Sequence, residues 1–369
     1  MNYTDSTTAY YEAFRRLHSE RSLAARPEAS ILLGDYFFSL FAKSLLAENR
    51  TDEAAEIAKR LQAEITELID EDRMKADVSR ILSAGGKGLR TKLARICYDV
   101  GRRYAAGGAE HNEKELEPLL EVLDMLHNAS LIHDDAVDDA ELRRGQPTIN
   151  RTSGVFAAVQ SGDWLLAETM GRVAGYREVE IDEILTLVPL AMCEGELLQQ
   201  RMRFRLSLQT TQRYFRLIGC KTAALFAASC RAGALAAGAP ANVVGALDRF
   251  GRLFGIAFQI RDDVLDFCRE KETGKKYAQD IRNGIFTLPV LLAAGYMPPP
   301  ITALLEKKQK SERDVDDIVA WVESTDSLDR AMRESGKLFS EAEDVLDGIG
   351  RSKYTRKLSE VVGEVCAAG

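Results

Sequence analysis

Leu126–Thr148, LHNASLIHDDAVDDAELRRGQPT, reads as the end of a half-buried helix followed by a turn with paired arginines. Asp134 and Asp138 are four residues apart, so on a helix their side chains leave one face a turn apart. His127 lies seven residues before Asp134, on the same stripe two turns earlier. Like charges at this spacing repel and weaken a helix, and Asp135 and Asp139 add to the repulsion. A divalent cation is the simplest way to offset it. Hard carboxylate oxygens suit Mg2+, which keeps several waters and bridges a few carboxylates to substrate phosphates. Arg143 and Arg144 supply forked donors that match phosphate oxygens. The alternative is a solvated acidic helix end, because acidic runs are common on surfaces. Against it, Leu123, Leu126, Leu131 and Ile132 make the preceding turns apolar.

A second stretch answers the first. In Gln259–Phe267, QIRDDVLDF, the residues Gln259, Asp262, Asp263 and Asp266 recur at the spacing of one helix face. Phe254, Ile256, Phe258, Ile260, Val264, Leu265 and Phe267 surround them with core-forming side chains. Two aspartate clusters on two largely apolar helices are costly unless they share cations. Facing each other across a cavity, they would clamp several Mg2+ around one diphosphate.

With these two motifs the chain resembles the trans-isoprenyl diphosphate synthases, or polyprenyl synthetases. The matching pieces come in the family's order: GGKGLR at Gly85–Arg90, HNASLIHDDAVD at His127–Asp138, RRGQPT at Arg143–Thr148, GDWLL at Gly162–Leu166, KT at Lys221–Thr222, FGIAFQIRDDVLD at Phe254–Asp266 and GKKYAQDIRNGIFTLP at Gly274–Pro289. The resemblance runs from about Ile69 to the C-terminus. It implies an isoprenoid synthase-like helical bundle around a deep central cavity. It also implies condensation of isopentenyl diphosphate with an allylic diphosphate. Mg2+ would be held by Asp134, Asp135, Asp138, Asp262, Asp263 and Asp266. Isopentenyl diphosphate would meet Lys87, Arg90, His127 and Arg144, and the allylic diphosphate would meet Arg143, Lys221, Thr222, Gln259 and Lys275. The residues expected to act in ionisation are Asp134, Asp138, Arg143, Lys221, Asp262 and Lys275. His133 adjoins the aspartates and is expected to support them. Two positions depart from the family pattern: Gly88, where a basic residue is common, and Ile285, where a lysine is common.

Product length is argued from geometry, since the growing chain must run back along the helix that carries Asp134. Ala129 and Ser130 are small, and Leu126, eight residues back, lies roughly 12 Å down at 1.5 Å per residue. Short-chain synthases often have an aromatic near Ala129, so a long product is favoured, as used for a quinone tail. A geranylgeranyl- or farnesyl-type synthase differs from this reading in length alone. A class I terpene cyclase would not need the GGK loop, His127 and Arg144. A subunit that works only with a partner also stays open.

Helical periodicity dominates the whole chain, with almost no strand alternation, so the expected fold class is all-α. Residues 1–70 are expected to form an N-terminal helical extension and 71–369 the catalytic domain. In the extension, Leu33-Gly34-Asp35-Tyr36 echoes Ser161-Gly162-Asp163-Trp164. The echo is either a partial duplication or a short word shared by chance, and the segment also looks somewhat like the small subunit of two-component long-chain synthases. The net charge of −8 and pI near 5.3 argue against a nucleic-acid partner. Six scattered cysteines without CxxC, and no secretory signal, fit a reduced cytoplasmic setting. No apolar run reaches the ~18 residues of a membrane span. A homodimer is expected, with a small partner subunit as the alternative.

Overall fold

The computed structural model describes residues 5–25, 27–47, 51–68, 70–86, 88–105, 113–173, 179–268 and 277–367. They form two compact units, Met1–Cys193 with Ala228–Val244, and Glu194–Ala227 with Gly245–Gly369. Both are helical, as the periodicity requires. The described strands are two two-residue segments, β1 (Leu142–Arg143) and β2 (Gln146–Pro147), paired antiparallel with Arg143 opposite Gln146.

The first unit begins with α1 (Asp5–Leu17), α2 (Glu20–Ala25), α3 (Pro27–Ala47) and α4 (Thr51–Leu68). Tyr11 and Phe14 of α1 interlock with Phe38 and Phe41 of α3, with ring centroids 5.0 Å apart for Tyr11–Phe41 and 5.1 Å for Phe14–Phe38. The α4 stripe of Ile57, Leu61 and Ile65 is buried, and α4 packs along α8 (Ile149–Val173). The expected extension is therefore part of this unit's core. Next come α5 (Glu71–Ser83), α6 (Leu89–Tyr104) and α7 (Glu113–Val137), the helix that ends in the first aspartate motif. Asp70 caps α5 by accepting from the Arg73 N–H at 3.0 Å. Helix α7 packs most extensively against α8, which comes after the β1–β2 turn.

Three helices contribute residues to both units: α9 (Val179–Met202), α11 (Ala224–Ala236) and α12 (Ala241–Leu265), which carries the second aspartate motif. In the second unit α10 (Thr211–Ile218) runs into α11 through a π-helical turn at Gly219–Ala223. The stretch that reads as one packed helix over Thr211–Ala237 is thus interrupted at the KT pair. Short helices α13 (Gln279–Arg282), α14 (Leu288–Ala293) and α15 (Pro299–Glu306) lead to α16 (Glu312–Glu323), α17 (Ser327–Ile349) and α18 (Lys353–Ala367). Val315, Ile318, Val319 and Val322 of α16 are fully buried with Phe286 and Leu305, and a Ser311–Asp314 capping box starts that helix.

The polar stretch Cys268–Asn283 reads as a loop able to close over substrate. Residues 269–276 lie outside the described residues. The segment from Tyr277 to Gly284 is packed, with Ala278 and Ile281 buried and α13 formed within it. No described helix is long and apolar enough to cross a membrane.

Candidate active site

In the first unit, α7 presents two chemically opposite groups on one side. The first is cationic. The Arg90 guanidinium donates to His127 Nε2 at 3.1 Å. Burial, reinforced by Arg90, Arg144 and Arg143, drives the His127 pKa down to about 2, so the imidazole is a neutral acceptor. Burial and the nearby Arg144 lower Arg90 to about 10. Arg144 bonds the carbonyl of Gly85, and its guanidinium lies where a Cβ on Gly86 would sit. The residues assigned to isopentenyl diphosphate therefore converge, except Lys87, which lies outside the described residues. Two guanidinium groups held this close repel each other unless an anion joins them.

The β1–β2 turn explains how consecutive arginines serve different ends. Arg144 and Gly145 both have positive φ, 51° and 75°, as a two-residue hairpin loop with the right twist requires. This turn sends Arg144 to the glycine loop while Arg143 reaches back to α7. Gly88, which departs from the family pattern, starts α6 with φ +54°. Glycine takes that left-handed conformation without strain, and a longer side chain there would not.

The second group on α7 is the aspartate motif. Asp138 is exposed and Asp134 half-buried, one turn apart, so both carboxylates are accessible from one side. Asp135 is buried and grips Arg143, whose Nε lies 2.8 Å from both carboxylate oxygens. His133 is a correction to the expectation. It does not support the aspartates but turns the other way, donating from Nδ1 to Asp35 of α3 at 2.7 Å. One residue along a helix is a rotation of about 100°, enough to put neighbours on different faces. Burial opposes the charge on His133, but Asp35 and then Asp163 overcome it and hold its pKa at about 9.

Leu126 and Ala129 of the chain-length argument are buried, and Ser130 is half-buried with its hydroxyl on the His127 carbonyl. Leu126 lines a small, largely apolar cavity of about 30 Å³. Leu166 and Met170 of α8, Leu185 and Pro189 of α9, and Phe38 of α3 share its walls.

The second unit repeats the aspartate logic. Asp262 is exposed and Asp266 half-buried, while Asp263 is buried. Asp263 accepts from Tyr214 Oη at 2.6 Å and from Gln259 Nε2 at 2.7 Å, and Thr222 donates to Gln259 Oε1 at 2.7 Å. Burial raises the Asp263 pKa to about 7, helped by Asp262 and Asp266 and opposed by the two hydrogen bonds. Asp280 is pushed well above the carboxylate range by burial and then by Asp266, Asp263 and Asp262. Lys221, on the π-turn, pairs with buried Glu196, to which Gln199 and Gln200 also donate. A π-turn widens a helix and recurs at functional sites. Lys275 lies outside the described residues. No motif marks Tyr214 or Glu196 as a site residue, and their only sequence signal is polarity inside apolar helices; Asp280 lies within the GKKYAQDIRNGIFTLP stretch, where nothing singles it out.

Each unit thus offers accessible carboxylates a turn apart beside a buried one already engaged. Asp262, Asp263 and Asp266 all oppose a charge on Asp280, and hard carboxylate oxygens are the donors that a divalent cation takes.

The polyprenyl synthetase family model matches residues 71–322. The chain belongs to the polyprenyl synthetase family. The matched stretch starts at the first residue of α5 and takes in both aspartate motifs. The chain is 34% identical over 270 residues to heptaprenyl diphosphate synthase component 2 of Geobacillus stearothermophilus, covering 73% of this chain and 82% of that protein. Among solved structures it resembles heptaprenyl diphosphate synthase from Staphylococcus aureus, with a TM-score of 0.73 at 26% identity over 86% of this chain and 98% of that one. It equally resembles a polyprenyl synthase from Caulobacter crescentus complexed with calcium and isoprenyl diphosphate, with a TM-score of 0.73 at 27% identity over 86% and 97% of the two chains. The all-α isoprenoid synthase fold and the prenyltransferase class read from the motifs both hold, and with the family comes use of a divalent metal.

Proposed function

We propose that the chain condenses isopentenyl diphosphate with an allylic diphosphate to build a long all-trans polyprenyl diphosphate. The observation that carries this is the layout of α7. It holds a cationic pocket, Arg90–His127–Arg144, with His127 seven residues and so roughly 10 Å along the helix from Asp134, and Asp138 a further turn on. The pocket suits one diphosphate directly, and the carboxylates suit another through metal. A cyclase handles a single diphosphate and has no use for the first pocket.

In this reading Asp134 and Asp138 would hold Mg2+, as would Asp262 and Asp266, and the metal would supply Lewis-acid stabilisation of the leaving diphosphate. Asp135 keeps Arg143 in place beside the motif, and Tyr214, Gln259 and Thr222 do the same for Asp263. Lys221 and Lys275 add positive charge to the allylic diphosphate. Its C–O bond breaks, leaving diphosphate and an allylic cation. The isopentenyl double bond, positioned by Arg90, His127 and Arg144, attacks that cation, and loss of a proton gives a product five carbons longer. Apolar walls exclude the water that would quench the cation. In this reading the lengthening chain runs past Ala129 and Ser130 towards Leu126.

The test is to incubate the purified chain with Mg2+, isopentenyl diphosphate and farnesyl diphosphate and read products by mass spectrometry. A ladder ending at one long product is expected. Arg90→Ala should raise KM for isopentenyl diphosphate at least about tenfold with little change for the allylic substrate. Equal effects on both would remove the two-pocket reading. A second reading, activity only with a partner subunit, is favoured by the "component 2" name of the Geobacillus relative.

A further inference from the structure

Helices α1–α3 and α7–α8 are built alike around a buried quartet. His18, just after α1, lies over Gly34 of α3, where an added Cβ would overlap its Nε2. His133 of α7 lies over Gly162 of α8, where an added Cβ would overlap the same ring atom. Each Nε2 donates to the carbonyl three residues before its glycine, His18 to Ile31 at 3.0 Å and His133 to Val159 at 3.1 Å. The residue after each glycine is an aspartate, and here the hairpins exchange partners. His18 Nδ1 donates to Asp163 at 2.6 Å, and His133 Nδ1 donates to Asp35 at 2.7 Å. The two rings meet edge to face with centroids 6.0 Å apart. All four residues are at most 8% exposed.

An exchange in which each hairpin offers the same donor and the same acceptor is the signature of an isologous contact, ordinarily found between two copies of one chain. Chance repetition of a Gly-Asp word does not explain it, because the histidines, the carbonyls and the glycine cradles all correspond. His18, Asp35 and Asp163 are close enough to share a metal ion. Each histidine nitrogen is already a donor, however, which leaves no ring lone pair for one.

We infer that the Gly-Asp face of α7–α8 is a self-complementary docking surface, and that this chain fills it with its own N-terminal hairpin in place of a second copy. The partner the face fits is a helical hairpin with a histidine seated on a Gly-Asp step. A buried ion quartet contributes more to register than to stability, which suits a surface that must select one partner. The chain fills this face in cis, so pairing of two copies of the wild-type chain would use another surface.

Charge exchange in the full chain tests this. His18→Asp and Asp163→His are each expected to lower Tm by on the order of 5 °C or more, by opposing like groups in the quartet. The double variant is expected to recover at least half of the loss. An equimolar mixture of the two single variants is expected to recover none. Recovery in the mixture would show docking between copies and overturn the cis assignment, and no recovery in the double variant would overturn the exchanged pairing. If the single variants do not fold, the milder H18Q/D35N chain vacates the face while keeping side-chain shape. Light scattering should then show its mass doubling with concentration relative to wild type, and adding Asp163→Asn should abolish the doubling. A mass that never doubles would overturn the self-complementary face.

Discussion

Helices α1–α3 and α7–α8 share a buried end and differ in almost everything beyond it. Counting back from the histidines, Phe14 of α1 corresponds to Ala129 of α7, and Tyr11 corresponds to Leu126. The N-terminal hairpin fills those positions with aromatic core, and α7 keeps them small or aliphatic beside a cavity. Counting forward, α1 stops at Leu17, just before its histidine, while α7 continues for four residues past His133, into the aspartate motif. One docking device thus supports two outcomes. In the proposed reading chemistry resides in the positions that differ around the histidine, and the histidine itself belongs to the docking.

Substitutions can break that comparison at graded cost. The largest effect belongs to α7 alone. Asp134→Ala should cut kcat by roughly a thousandfold while Tm stays within about 2 °C of wild type. Near-normal turnover would remove the aspartate motif from the mechanism. Next, Asp35→Asn and Asp163→Asn should each cost about 3 kcal/mol, because each leaves a buried imidazolium short of its counter-ion. The two losses should be similar and less than additive in the double variant by denaturant unfolding. Losses that differ severalfold would show that the hairpins are alike in outline but not in energetics. Gly34→Val and Gly162→Val should cost about 2–3 kcal/mol each, since each side chain displaces a histidine ring.

Ala129→Phe imports the N-terminal aromatic into α7. It should shorten the product by one or more five-carbon units, with kcat within about tenfold of wild type. Unchanged length would place the chain elsewhere than beside Leu126. The smallest effect is on pH dependence. Burial disfavours charged His18, but Asp163 and Asp35 outweigh it and raise its pKa in the folded protein above 6.5. Asp35, Asp163 and His133 are the titratable groups facing it. Stability from His18 is therefore complete below 6.5 and lost as pH rises through the folded value. Tm measured from pH 6 to 9 should fall more steeply for wild type than for His18→Gln. Equal slopes would mean that His18 takes its proton no more readily when folded than when unfolded.

Much of this architecture was legible in the residues, for reasons that differ by level. The helices follow from periodic apolar stripes such as Ile57–Leu61–Ile65 and Val315–Ile318–Val319–Val322, all of them buried. The proposed site residues Arg90, His127 and Arg144 stand out as an ordered set of motifs, and the structure brings them near one another. Their division of labour was less visible. Asp134, Asp135 and Asp138 look equivalent in a string of acids. A helix turns Asp135 inward to Arg143 and leaves the other two accessible, and Asp263 is turned to Tyr214 in the same way. The place of His133 was hidden because adjacency in sequence is not adjacency on a helix. The Gly34-Asp35 echo was visible as a word. Its meaning depended on His18 meeting Asp163, 145 residues away, which no local pattern encodes.

One consequence of α7 concerns what evolution can do with it. His127, Leu126 and Asp134 are marks on a single rod, and a helix is both ruler and protractor, adding 1.5 Å and turning about 100° per residue. Inserting one residue between His127 and Asp134 would move the carboxylates a negligible distance but swing them a quarter-turn off the anion pocket. Inserting seven would restore their bearing to within about 20° and stretch the gap between the two diphosphates by roughly 10 Å, beyond bonding reach. Neither change is survivable for the reaction. In the proposed reaction that interval leaves little room for change. A change of product would there be written in the side chains that line the rod, with the spacing of its marks kept.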